Sequence, residues 1–274
     1  MERKKLTANA NALGNLAIIL IATVIVASIV TAVVVWWLLV GSANVVTEEI
    51  GLSDFSSVKA GNAFEVEITQ SSSYKVEITT DEYVQVSRTG ENEYEQQLTF
   101  DYIQVSEANQ TLTIRLEPGY DYLSVHLLRP LTLRARITMP DIYGLDFSGA
   151  TRGTVEGFSL SHELSLILSG ASYLDIADVS AGDIQISLSG ASKLDGKGSG
   201  SDLFTTVSGA SHLDLSDFTI HNADVFLSGA SWATVNLDGR LDADLSGASH
   251  LRYIGEPTLG DIQTSGDSRI EEIQ

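Results

Sequence analysis

Ser169-Gly170-Ala171-Ser172 does not occur once. It returns as Ser148-Gly149-Ala150-Thr151, as SGAS at 189–192, 208–211, 228–231 and 246–249, and in worn form as Ser265-Gly266-Asp267-Ser268. The first serines stand 21, 20, 19, 20, 18 and 19 residues apart. A fixed period near 20 marks a solenoid, in which each repeat makes one coil and stacks on its neighbours.

Aligned on the first Ser, the copies show a period of two. The residue just before it is Phe147, Leu168, Leu188, Val207, Leu227, Leu245 or Thr264. Three before it stand Leu145, Leu166, Ile186, Thr205, Val225, Ala243 and Ile262, and five after it Gly153, Leu174, Leu194, Leu213, Ala233, Leu251 and Ile270. Alternate side chains of a strand share one face, so these odd offsets should line a common interior. The motif Gly and the last Ser/Thr have the same parity. A strand running through all of them is too long for a coil that closes in about 20 residues, so a bend is expected at the Gly, where no Cβ opposes it. The last Ser/Thr then stacks inside the corner as a polar ladder. Coils of 18 to 21 residues break the strict six-residue phase of a left-handed hexapeptide helix. The fold expected is all-β, a single-stranded right-handed parallel β-helix preceded by one N-terminal transmembrane helix. One repeat alone cannot bury enough apolar surface to offset the entropy of ordering it.

Composition narrows the function classes. The chain has 274 residues with 16 Lys+Arg and 36 Asp+Glu, a formal net charge of −20. Without the first 40 residues, 13 basic side chains face 35 acidic ones, a net charge of −22. Such a surface repels nucleic acid. There is no cysteine, so no disulfide framework and no thiolate metal site.

Residues 1–15 form a basic N-terminus, with Arg3, Lys4 and Lys5, and no charge follows until Glu48. Residues 16–40 are apolar but for Thr23, Ser28 and Thr31. As a helix this run is about 37 Å long, enough to cross a ~30 Å hydrocarbon core. Trp36 and Trp37 suit the far interface, and the basic flank puts the N-terminus inside and the rest outside the cytoplasmic membrane. A cleaved signal peptide with Gly41-Ser42-Ala43 as its processing site is the alternative, but signal h-regions run only about 7–15 residues. A tether follows over 41–54. Residues 55–140 alternate as strands without the motif and are expected to form irregular β coils and a cap, and 141–274 the regular β-helix.

Leu245 to Ile270 (LSGASHLRYIGEPTLGDIQTSGDSRI), Phe55 to Ile78 (FSSVKAGNAFEVEITQSSSYKVEI) and Ile137-Thr138-Met139-Pro140 resemble the auto-transporter adhesin head (GIN) domain family. The resemblance extends over about Phe55 to Ile270. It implies a β-helical, cell-envelope domain of bacteria or archaea without established catalytic residues.

The residues just after each motif point outward by parity: Arg152, Tyr173, Lys193, His212, Trp232, His250 and Arg269. Two further on lie Thr154, Asp175, Asp195, Asp214, Thr234, Arg252 and Glu271. Rings and cations beside carboxylates, about 4.8 Å apart down the stack, suit a linear glycan. The plainer reading is that exposed strands favour such side chains and that Lys193 and His212 neutralise adjacent aspartates. The expected partners are a lipid bilayer through one helix and an envelope glycan or a surface protein. A structural or sensory envelope module is the competing class. No cofactor and no catalytic site are expected. A β-helical polysaccharide lyase or hydrolase would need carboxylates clustered in a cleft, whereas here they spread one per coil. Asp175, Asp195 and Asp214 offer Ca²⁺ oxygens from one side only, short of the roughly six to eight it takes, so no metal site is expected. His162-Glu163 reads as a solvated turn, and Gly196 to Gly200 as a flexible turn between coils rather than a phosphate loop.

Overall fold

The computed structural model describes Thr31 and residues 44–82, 84–88, 102–117 and 131–274. The chain divides into Met1–Asn44 with Leu123–Pro130, and Val45–Tyr122 with Leu131–Gln274. Of the first unit only Thr31, in helical conformation, and Asn44 are described. The membrane span expected over 16–40 thus falls, Thr31 aside, outside the described residues. Among those residues no helix is long and apolar enough to cross a membrane.

Among the described residues the second unit is all β. It holds β1 (Val45–Ile50), β2 (Ser57–Ala60), β3 (Glu65–Gln70), β4 (Lys75–Asp81), β5 (Gln85–Arg88), β6 (Tyr102–Ala108), β7 (Thr111–Glu117) and β8 (Leu133–Met139). Then come seven pairs, each joined by one copy of the motif. They are β9 (Gly144–Phe147) with β10 (Arg152–Glu156), β11 (Leu164–Leu168) with β12 (Tyr173–Ser180), β13 (Ile184–Leu188) with β14 (Lys193–Ser199), and β15 (Asp202–Val207) with β16 (His212–Ile220). The last three are β17 (Asn222–Leu227) with β18 (Trp232–Leu237), β19 (Arg240–Leu245) with β20 (His250–Ile254), and β21 (Thr258–Thr264) with β22 (Arg269–Glu272).

Each pair sends one strand to each of two eleven-stranded sheets. Sheet A runs β1-β4-β8-β3-β10-β12-β14-β16-β18-β20-β22, and sheet B runs β21-β19-β17-β15-β13-β11-β9-β2-β7-β6-β5. From β9 onward every neighbour is parallel, as a coil that returns to the same side must make it. The result is a solenoid of the right-handed type with about six turns, the hand favoured for parallel crossovers. Among the described residues antiparallel pairing is confined to β1–β4, β4–β8 and β6–β7.

Phe147, Leu168, Leu188, Val207, Leu227 and Leu245 are all buried on sheet B, and Leu174, Leu194, Leu213, Ala233 and Leu251 face them from sheet A. Gly153 takes the equivalent place in the first coil because a side chain there would run into the Phe147 ring. In the last coil Thr264 is exposed and Ile262 and Ile270 are half-buried.

The corner differs from the simple alternation in one respect. The last Ser/Thr of the motif is buried in Thr151, Ser172, Ser192, Ser211, Ser231 and Ser249, but the glycines lie on the outside of the bend. Their φ values, +71° to +78°, are left-handed, which turns the Gly alone outward while the inward parity resumes at the last Ser/Thr. Inside the corner Ser172 Oγ donates to the Ser169 carbonyl at 2.7 Å, and Ser192 Oγ to that of Ser189 at 2.8 Å. Thr151 and Ser249 repeat the bond. The ladder is thus polar yet satisfied, as burial demands.

Two local expectations change. Lys193–Ser199 is strand, with Gly196 facing the core and Gly198 at φ +152°, so this segment is paired strand rather than a flexible turn, and the bulges lie on its neighbours β12 and β16, each of which carries one extra residue against it. His162 is half-buried: its Nε2 lies 2.9 Å from Asp141 Oδ1, its Nδ1 lies 2.9 Å from the Glu163 carbonyl, and its ring stacks on Tyr143 at 3.6 Å.

Candidate functional site

Coil stacking places the outward residues in columns. Arg152, Tyr173, Lys193, His212, Trp232, His250 and Arg269 are successive Cα partners across β10, β12, β14, β16, β18, β20 and β22. All seven share the outer face of sheet A, over about 29 Å at ~4.8 Å per strand. The second row is equally in register, from Thr154 through Asp175, Asp195, Asp214, Thr234 and Arg252 to Glu271.

Contacts within this face are specific. Tyr173 donates its hydroxyl to Asp195 Oδ2 at 2.9 Å, and Lys193 Nζ reaches the same oxygen at 2.7 Å. Burial and that hydrogen bond push the Tyr173 phenol up to about 12, so it stays neutral and keeps donating. Asp195 Oδ1 is buried without a partner. For Asp214, burial alone would raise the pKa. The hydroxyl and amide of Ser216, with the charges of His212 and Lys193, outweigh it and hold the carboxyl below its usual value. Farther along, the rings of Trp232 and His250 stack at 4.2 Å and 4°, with the Arg252 guanidinium 5.4 Å from the Trp232 centroid. His250 therefore covers one face of Trp232, leaving the side toward His212 and the ring edge.

Each end of the row opens into a hollow. One, of about 730 Å³, lies where β1, β4, β8 and β3 meet the ladder, and Arg152 and Tyr173 stand in its wall with Arg134, Arg136, Glu65 and Glu67. The other, of about 570 Å³, is lined by Trp232, His250, Arg252 and Arg269 among others. The first hollow contains functional candidates that the repeat could not point to, because they precede the first motif. Arg134 is the Cα partner of Glu65, and Arg136 of Glu67, and both pairs form ion pairs at 2.6 and 3.0 Å. The alternations Glu65-Val66-Glu67 and Arg134-Ala135-Arg136 were the available signal.

Among the described residues no three His, Asp or Glu side chains converge as a metal site. Asp175, Asp195 and Asp214 do form one column, but Asp195 already serves Tyr173 and Lys193.

Residues 54–257 match the family described as "putative auto-transporter adhesin, head GIN domain". Among solved structures, a "putative adhesin" from Bacteroides fragilis NCTC 9343 is 18% identical with a TM-score of 0.65, covering 85% of this chain and 98% of that one. A "putative adhesin" from Parabacteroides distasonis ATCC 8503 is 15% identical with a TM-score of 0.61 over the same shares. A "putative lipid binding protein" from the same organism is 14% identical with a TM-score of 0.57, again over 85% and 98%. At such identities these likenesses bear on the fold alone. No curated protein matches the sequence.

Proposed function

The chain belongs to the auto-transporter adhesin head (GIN) domain family, and from that premise we propose that it is a non-catalytic, adhesin-like module that holds an elongated envelope polysaccharide along the outer face of sheet A. The observation carrying this reading is the in-register row from Arg152 to Arg269 with a hollow at each end. Tyr173 and Trp232 supply apolar ring surface for sugar C–H groups, and the flanking cations and carboxylates supply hydrogen bonds to hydroxyls. The spread of carboxylates, one per coil, favours holding a polymer over cleaving it.

The same proposal places the solenoid outside the cytoplasmic membrane, on a single helix over 16–40 with the N-terminus inside. The length of that run and the basic residues before it support this. Replacing Tyr173 and Trp232 together with Ala should abolish retention of the protein on fractionated cell-wall or capsular polysaccharide while leaving the thermal unfolding transition in place. Retention unchanged in a folded double variant would retire the polysaccharide reading.

A second reading, a structural or sensory envelope module that binds a protein, draws on sheet B. There Phe204 and Phe226 are 45% and 42% exposed, with their rings 5.4 Å apart. Co-purification of one envelope protein, lost in Phe204→Ser with Phe226→Ser and indifferent to Trp232, would favour it.

A further inference from the structure

We infer that the hollow at the Arg152 end of the row is a subsite for a single carboxylate, carried by an acidic sugar on an otherwise uncharged glycan. This rests on the polysaccharide reading above and narrows it to a ligand class.

Three glutamates and three arginines line the hollow, but Glu77 is held from outside the lining by Lys75. Arg134 is taken by Glu65 and Arg136 by Glu67, while Glu77 is taken by Lys75 at 2.6 Å. Arg152 is left over. It is exposed, and its register neighbours are Glu65, already bonded to Arg134, and Tyr173. Among the described residues no ion pair forms at Arg152. On a chain of net charge −20 an exposed guanidinium without a carboxylate is the exception. Lys193 on the same row has Asp195, and Arg252 two residues along has Glu271 at 3.8 Å. Arg269 also lacks a partner, but it stands on β22, the edge strand of sheet A, whereas Arg152 lies on β10, inside the sheet.

The chemistry of the site follows. A guanidinium offers two parallel N–H donors that fit a carboxylate. Beside it the Tyr173 ring is fixed by its bond to Asp195, so its side toward Arg152 can meet the apolar face of the same sugar. Lys193, on the strand beyond, leaves that side open. The site takes one negative charge and no more. Further along the face the second row presents Asp175, Asp195 and Asp214, which would repel a carboxylate on each following sugar. A polyanion is excluded for the same reason, and an isolated or terminal uronic acid is not.

The test uses the full chain in detergent micelles and matched oligosaccharides ending either in glucuronic acid or in glucose on one neutral core, with hexagalacturonate as the polyanion. The acid-ended member should bind about tenfold more tightly than its neutral partner, the size of one charge-assisted contact. Arg152→Gln should erase that preference and Arg152→Lys should keep part of it, with the unfolding midpoint unchanged. Hexagalacturonate should gain nothing over the singly charged ligand. Equal binding of the matched pair, or a preference that survives Arg152→Gln, overturns the subsite. If the pair binds equally but still depends on Trp232, the polysaccharide face stands without it. If no sugar binds at all, both fall.

Discussion

Gly190→Ala tests the corner that shapes every coil. At Gly190 φ is +78°, and an added Cβ would lie 2.5 Å from the Gly170 carbonyl oxygen and 3.1 Å from its nitrogen. Two costs follow. The left-handed backbone with a Cβ costs about 1–2 kcal/mol. The overlap with Gly170 O cannot be relieved by a side-chain rotation, because both atoms are tied to backbone, so the corners must part. The Ala191 N–H bond to that oxygen, 2.7 Å long, then lengthens or breaks, for a further ~0.5–1.5 kcal/mol. The expected loss is roughly 1.5–3.5 kcal/mol in all. Gly157→Ala is the control: its φ is +80°, but an added Cβ meets nothing within 4 Å, so it should cost only the backbone term, about 1–2 kcal/mol. Urea unfolding at fixed pH measures both, with equal slopes required for the comparison. Equal losses for the two variants would refute the claim that glycine is needed here for close stacking rather than for φ alone.

Three further outcomes are expected. Ser192→Ala removes the hydroxyl that donates to Ser189 O at 2.8 Å inside the corner and should cost about 1 kcal/mol in the same urea assay, whereas loss of an exposed serine hydroxyl should cost nothing measurable. At His162 burial lowers the pKa, but the Glu163 carbonyl and Asp141 together raise it above 6.5. Both ring nitrogens face acceptors, so the bonded form is the imidazolium, and its contribution is full below about 6.5 and lost as pH rises through the higher folded value. The difference in Tm between wild type and His162→Gln should therefore shrink from pH 5.5 to pH 9, and a difference that grew would contradict the geometry. At Asp242 the hydrogen bonds from Arg240 and from the Asp261 N–H lower the pKa from 3.8 to about 2. The stabilisation is present above 3.8 and fades as pH falls toward about 2, so wild type and Asp242→Asn should converge in stability near pH 2 and differ at pH 6.

What could be read in the sequence is what stacking makes periodic. A parallel ladder repeats each coil's environment in the next, so the inward leucines, the corner serines and the Arg152-to-Arg269 row all declare themselves as positions in a twenty-residue period. Features that depend on a single deviation were hidden. The motif glycines share the inward parity, yet their positive φ turns them out. Strand order before the repeats was hidden too, since β3 lies between β8 and β10 although β8 comes far later in the chain. No periodicity encodes such an insertion, so the alternation at Arg134 and Arg136 assigns these side chains a face but not a place beside the Arg152 end of the row. Nor could parity reveal that His250 would lie flat on Trp232, because alternation specifies a face and not a ring's orientation.

The two hollows belong to different parts of one ladder, Arg152 on β10 and Arg269 on β22, with five strands of sheet A between them. Their separation is therefore a count of coils and nothing else. Duplicating one twenty-residue unit, such as 173–192, would add one strand to each sheet and move the hollows apart by about 4.8 Å, with neither lining altered. Deleting ten residues would instead hand every later strand to the opposite sheet. If the outer face holds a polymer as proposed, the solenoid is a ruler graduated in whole coils, and a relative that gained or lost complete repeats would match polymers of different spacing with the same chemistry at both ends.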